Sequence, residues 1–264
     1  MRLAAIFFDV GETLVDETEV WGGWADWLGV PRLTFFAAMG AVVARGSDGL
    51  DRTEQRPVLR EVLRLVRPDL DFTAAAQQRS DAEQVFTSDD LYPDALPCLL
   101  ALRGRGYRIG IAANQPARAE AVLRRSGLPF EWLLISELEG VQKPDPEFFE
   151  RIRQASGLPA ASVAYVGDRV DNDVIPAHKA GLVPVHIRRG PWGVLQSEWP
   201  GVERAALRLD SLREASGAAE RAGGGCHPRG VTRSLSRGVA RRDTIRSNGS
   251  APRRRSLQPV GQDL

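Results

Sequence analysis

The sequence predicts a doubly wound α/β fold, and three observations carry that prediction. Short apolar runs alternate with longer amphipathic stretches, the pattern of strands buried on both faces of a parallel sheet with helices packed over them. The chain has 264 residues, 43% hydrophobic and 26% charged, enough for one elaborated domain or two modest ones. Polar residues gather just after the apolar runs, where an open α/β sheet presents the carboxyl ends of its strands.

The first strand is expected within Leu3–Phe8, which Asp9 interrupts; the run is too short for a signal peptide or a membrane span. The next stretch breaks the alternation. Residues 16–92 hold helical patterns over Val20–Leu28, Leu33–Ala44, Arg56–Val66 and Thr73–Val85 and no strand of comparable strength. A structureless loop of that length is improbable, so it reads as an inserted helical subdomain. Trp21, Trp24 and Trp27 recur every third residue and are expected on one helical face, packing between helices, with substrate contact as the alternative.

Four further strands are expected, at Tyr107–Ala112, Trp132–Ile135, Val163–Val166 and Val183–Ile187, with Pro184 placing the last towards a sheet edge because proline cannot donate to a ladder. Helices are expected over Pro116–Ser126 and Pro146–Ser156. The second has Asp145 as its cap, proline in its first turn and Gly157 at its end. The expected organisation is an α/β core of residues 1–15 plus 93–212, a helical cap of 16–92 and a tail of 213–264.

The formal net charge of +1 conceals unlike parts. The tail holds eleven Arg against four acids, and the remainder 24 basic against 30 acidic residues. Without Phe, Trp or Tyr, and dense in Gly, Ser, Arg and Pro, the tail is expected to be disordered. It is also the one feature that hints at nucleic acid, which is otherwise not expected as a partner; no membrane partner is expected either. Cys98 and Cys226 make no disulfide framework, and no histidine pair has metal-ligand spacing, so a soluble protein of the reducing cytoplasm is expected.

The strand ends are the informative places. After the expected strands come Asp9-Val10-Gly11-Glu12-Thr13-Leu14, then Ala113-Asn114-Gln115, then Gln142-Lys143-Pro144-Asp145-Pro146 beyond a short loop, then Gly167-Asp168-Arg169-Val170-Asp171-Asn172-Asp173. The topology would bring these segments to one rim. Carboxylates gathered there repel, and a hard divalent cation with oxygen ligands, such as Mg²⁺, resolves the repulsion. Only two of the 35 basic residues are lysine, so Lys143 before Pro-Asp-Pro reads as a placed charge suited to a phosphoryl group or a negatively charged nucleophile.

Phe7–Leu14, Gln142–Pro146 and Val166–Asp173, taken jointly and in this order, resemble the haloacid dehalogenase (HAD) superfamily of hydrolases, in the subclass with a helical cap inserted after the first strand. The resemblance spans residues 1 to about 210. It implies Asp9 as the nucleophile, forming an aspartyl-phosphate that water hydrolyses. It further implies Asp9, Asp168, Asp173 and the Gly11 backbone carbonyl around Mg²⁺, Lys143 holding Asp9 and the phosphoryl group, Thr13 orienting the Asp9 carboxylate, and Asn114 at the substrate. The implied substrate is a small phosphorylated metabolite.

Two positions depart from the family pattern. The acid/base Asp expected two residues after the nucleophile is Gly11, and the hydroxyl residue expected to open the second motif is Ala113. Loss of a positioned acid/base typically removes roughly 10²- to 10⁴-fold of rate. Three readings follow: a Mg²⁺-dependent phosphate hydrolase, slowed, with proton transfer by water, a cap residue or Glu12; a phospholigand-binding or interaction protein without turnover; and a metal-independent dehalogenase, disfavoured by the retained Asp168 and Asp173.

Overall fold

The strands β1 (Ala5–Phe8), β2 (Arg108–Ala113), β3 (Trp132–Ile135), β4 (Val163–Gly167), β5 (Val183–Ile187) and β6 (Leu207–Leu209) form one sheet in the order β3-β2-β1-β4-β5-β6. The computed structural model describes residues 3–45, 57–80, 85–215 and 217. Every pairing is parallel, with Phe8 level with Ile111 on one side and Val166 on the other. The chain steps outward from β1 in both directions, so the topological switch lies between β1 and β4. Asp9 and Asp168 are the residues that follow those two strands.

Alternation along β1 sorts its side chains into two layers, because successive residues face opposite sides of a strand. Ile6 and Phe8 join the layer with Leu99, Leu102 and Leu123, beneath α5 (Ala95–Gly104) and α6 (Ala119–Arg125). Ala5 and Phe7 join the opposite layer with Phe148, Phe149, Ile152 and Tyr165, under α8 (Pro146–Ser156). As expected, Asp145 caps α8 by accepting from the Glu147 amide at 2.8 Å, and Gly157 closes it in the left-handed conformation. The chain is completed by α7 (Ser136–Glu139), α9 (Ile175–Lys179) and α10 (Gly190–Leu195).

Pro184 does not mark an edge. β6 pairs outside β5, and the Pro184 carbonyl accepts from Ala206 N at 2.8 Å. The missing Pro184 N–H falls on that same side, where β6 is only beginning, so no ladder bond is lost. The helix expected over Pro116–Ser126 is shorter than anticipated, since α6 starts at Ala119.

Between β1 and α5 the described residues form α1 (Thr18–Leu28), α2 (Arg32–Ala44), α3 (Pro57–Val66) and α4 (Phe72–Ser80). Val85, expected within the last helix, lies in an irregular segment. These helices have a buried cluster of their own, including Trp24, Leu28, Phe35, Met39, Val42, Val62 and Leu63, which Trp192 of α10 joins from the sheet side. The three tryptophans fan around α1 rather than lining up straight, though neighbours still touch: the Trp24 and Trp27 ring centroids are 5.9 Å apart and Trp21 packs on the cluster that holds Trp24. A step of three residues turns a helix 60° short of a full circle, so Trp21 meets Trp192 with ring centroids 5.7 Å apart, Trp24 is buried, and Trp27 is 38% exposed.

The insert leaves and rejoins the core side by side. Val15 bridges both Gly11 and Leu91, Asp16 N donates to Asp90 O at 2.9 Å, and Tyr92 N donates to Leu14 O at 2.9 Å. Among the described residues no single helix is long and apolar enough to cross a membrane. The expected disorder of the tail concerns residues that, beyond 217, lie outside those described; residues 212–215 make a helical turn, with Leu212 in the core.

Candidate active site

At the switch point the structure brings together four of the expected side chains. One oxygen from each of Asp9, Asp168 and Asp173 can be chosen so that all lie within 4.8 Å of one another. Lys143 stands among them, its Nζ 2.8 Å from Asp9 Oδ2 and 2.6 Å from Asp173 Oδ1. All four residues are buried, Lys143 to 2% exposure.

Two of the carboxylates are aimed by backbone. Val10 N donates to Asp9 Oδ1 at 2.8 Å, and Arg169 N donates to Asp173 Oδ2 at 2.9 Å. Asp173 comes from a single π-turn over Val170–Val174, a rare winding that often marks functional sites. Its carboxylate packs so closely on the end of β4 that a Cβ on Gly167 would lie 2.4 Å from Asp173 Cγ; glycine is needed there. Asp168 is turned by the strand end, its carbonyl 2.9 Å from His186 Nε2, and its carboxylate Oδ2 is buried with no partner.

Three carboxylates facing one ammonium set the electrostatics. Burial, then repulsion from Asp173 and Asp9, holds Asp168 well above the usual carboxyl range. Burial also pushes Asp9 up to about 6, with Lys143 pulling it down and Asp173 pushing it up. Burial alone would discharge Lys143, but Asp173 and Asp9 outweigh that and keep its ammonium well above its ordinary value. The cluster therefore lacks positive charge, its donors are all oxygen, and Asp168 Oδ2 is an unused donor, which fits a hard divalent cation.

Asn114 and Thr13 are placed as follows. Asn114 Oδ1 accepts from Lys143 N at 2.8 Å and Asn114 Nδ2 donates to Lys143 O at 2.8 Å, so its amide holds the lysine's main chain. Thr13 Oγ1 is buried without a partner, and no hydrogen bond joins it to Asp9. Asp171 faces away, paired with Arg169 at 2.9 Å. Arg189 pairs with Asp94, lies 4.1 Å from the Tyr92 ring centroid and donates to Thr13 O at 3.1 Å, a packing role.

Glu12 is turned from the cluster. Its Oε2 accepts from Tyr92 Oη at 2.7 Å, its Oε1 from Glu17 N at 3.0 Å, and it fills the space beside Gly190. At Gly11 the structure reveals a neighbour that sequence reasoning missed. A Cβ built on Gly11 would lie 2.5 Å from Glu17 Oε1 and 2.6 Å from Glu17 Cδ, so the Glu17 carboxyl stands where a side chain at position 11 would begin. Gln115 Nε2 donates to its Oε1 at 3.1 Å and Trp21 Nε1 to its Oε2 at 3.2 Å. Burial, then the nearby Glu12, pushes this carboxyl up to about 7. A lone acid at the entrance of a helical insert carries no sequence signal for that position.

A doubly wound parallel sheet with an aspartate-lysine cluster at its switch point is the frame of an Asp-centred hydrolase, and the chain belongs to the haloacid dehalogenase-like hydrolases, whose family profile matches residues 3–181. Glyceraldehyde 3-phosphate phosphatase of Methanopyrus kandleri is 38% identical over 132 residues, which is 47% of this chain and 57% of that protein. The chain thus spans little more than half the length of that relative. Among solved structures, the HAD-hydrolase YfnB from Bacillus subtilis, bound to magnesium, superposes with a TM-score of 0.64 at 18% identity, covering 83% of this chain and 99% of that one. The L-2-haloacid dehalogenase RSc1362 does so with a TM-score of 0.59 at 18% identity, covering 83% and 100%. These two likenesses show the fold.

Proposed function

We propose that the protein is a Mg²⁺-dependent phosphate hydrolase acting on a small phosphorylated metabolite. The observation that carries this reading is the buried, unpartnered Asp168 Oδ2 inside a cluster of three carboxylates and one ammonium. A metal-independent dehalogenase would have no use for such a cluster, and the M. kandleri relative is named a phosphatase.

Asp9, Asp168, Asp173 and the Gly11 carbonyl would hold the ion. When bound, magnesium supplies positive charge against the phosphoryl oxygens and the carboxylates. Asp9 attacks phosphorus, with Val10 N and Lys143 Nζ fixing its carboxylate in one orientation. Lys143, held by Asn114, keeps its charge against Asp9 and the transferring group, so positioning and charge supply most of the catalysis. The unpartnered Thr13 hydroxyl is available to Asp9 or to a phosphoryl oxygen. The insert of residues 16–92 serves as a cap over the rim, supported by its own buried cluster and its paired entrance and exit.

Phosphate release from a panel of phosphate esters and acyl phosphates, with and without Mg²⁺, tests the reading. Mg²⁺-dependent release that disappears in Asp9→Asn is expected. Release that survives that substitution removes Asp9 from its role, and ligand-induced thermal stabilisation without any turnover favours the non-catalytic binding reading.

A further inference from the structure

We propose that Glu17 is the acid–base residue of this site, its carboxyl reaching in from the start of the insert to occupy the place that a side chain at position 11 leaves open. The inference rests on the phosphate hydrolase reading above and adds to it the group that moves the protons.

The geometry has three parts. First, the replacement is one of volume: Glu17 Oε1, Cδ and Oε2 lie 2.5, 2.6 and 2.8 Å from where a Gly11 Cβ would stand. A side chain at position 11 and the Glu17 carboxyl are mutually exclusive. Second, two donors aim the carboxyl and a third bond fixes its main chain. Gln115, which follows the β2 strand end, donates to Oε1 at 3.1 Å; Trp21, one turn along α1, donates to Oε2 at 3.2 Å; and Glu12, itself held by Tyr92, accepts from the Glu17 amide at 3.0 Å. Third, among the described residues the side-chain donors to this carboxyl are neutral groups, the Gln115 amide and the Trp21 indole. Glu12, the nearer acid in sequence, cannot serve, because its two oxygens are turned to Tyr92 and the Glu17 backbone.

In the first step an Asp9 carboxylate oxygen forms a bond to phosphorus, the bond from phosphorus to the ester oxygen breaks, and that oxygen takes the Glu17 proton and departs as an alcohol. In the second, a water oxygen bonds to phosphorus while Glu17 takes one of its protons. The bond from phosphorus to Asp9 then breaks, which releases inorganic phosphate and returns both carboxyl groups to their starting state. The net change is one ester and one water giving one alcohol and one phosphate. Because Glu17 belongs to the insert and Gln115 to the core, their contact also ties proton transfer to the seating of the insert on the rim.

The test compares Glu17→Gln with wild type on glycerol 2-phosphate, whose leaving oxygen needs a proton, and on p-nitrophenyl phosphate, whose leaving group departs without one. Glutamine keeps the shape and loses the proton. Steady turnover of glycerol 2-phosphate should fall by roughly 10²- to 10⁴-fold. With p-nitrophenyl phosphate the variant should give a burst of one equivalent of nitrophenol, and mass spectrometry should find phosphorylated Asp9 persisting, because the second step still lacks its base. Mg²⁺ uptake by calorimetry should match wild type, which separates Glu17 from the ion's ligands. Gly11→Ala, whose methyl group displaces the Glu17 carboxyl, should behave as Glu17→Gln does, and Gly11→Asp combined with Glu17→Ala should recover turnover by returning a carboxyl to the same place. A Glu17→Gln protein that hydrolyses both esters within about threefold of wild type overturns the inference and leaves the phosphate hydrolase reading standing. A wild-type protein that releases phosphate from no ester and never phosphorylates Asp9 overturns both.

Discussion

The sheet rim and the helical insert are held together in different ways, and the difference assigns their tasks. At the rim, charged side chains are buried and three of them have fixed partners: Asp9 is aimed by Val10 N, Asp173 by Arg169 N, and the Lys143 main chain is held by the Asn114 amide. In the insert, Arg32 meets Glu19 at 2.9 Å and Asp26 at 2.7 Å on the exposed surface, and the interior is an apolar cluster around Trp24 and Phe35. Exposed pairs of that kind contribute little to stability, because water and salt screen them. Buried charge held by fixed donors suits the rim to chemistry; apolar packing holds the insert together, and from it Glu17 reaches the rim while Trp21 meets Trp192 of α10.

That contrast can be broken by substitution, and the largest effect is expected at the rim. Asp9→Asn should lower phosphate release by roughly 10⁴-fold or more, since the nucleophile itself is lost, with thermal stability little reduced; phosphate assays and calorimetric unfolding measure the two separately. Trp24→Ala should instead cost about 3–5 kcal/mol of stability by opening a cavity in the insert, whereas Trp27→Ala, at a position 38% exposed, should cost less than about 1 kcal/mol. Denaturant unfolding of the pair checks this, and equal costs would restore the single stripe that spacing alone suggested. Asn114→Ala should lower kcat by about tenfold at nearly constant KM, because two hydrogen bonds to the Lys143 main chain disappear while the lysine remains.

A smaller effect separates proton from metal. In the magnesium-free protein Asp9 titrates at about 6, against 3.8 unfolded. A folded value raised above the unfolded one means that this group's stabilising contribution is full below 3.8 and is lost as pH rises through about 6. The melting temperature of Asp9→Asn should therefore gain on that of wild type by a few degrees across this window, and saturating Mg²⁺ should abolish the difference.

Much of the rim was legible in sequence because strand ends are legible. Apolar runs ending in Asp9 and Asp168 identified β1 and β4, and a doubly wound order carries their ends to one switch point without further information. The Asp145, Pro146 and Gly157 signals bounded α8 because capping chemistry is local. What depended on contacts distant in sequence was not legible. β6 is three residues long, Leu-Arg-Leu, and exists as a strand through its pairing with β5, which moved Pro184 from an expected edge to the interior. Glu17 filling the space beside Gly11 depends on the turn through Val15, and Asn114 holding Lys143 depends on the approach of two loops 29 residues apart. Neither leaves a pattern in the residues themselves.

Isothermal titration calorimetry with Mg²⁺ on wild type and Asp168→Asn tests the acidic cluster most directly. The account predicts saturable uptake of one ion by wild type and its loss when the unpartnered carboxylate becomes an amide. No heat of binding to wild type, or the same isotherm from both proteins, would contradict it.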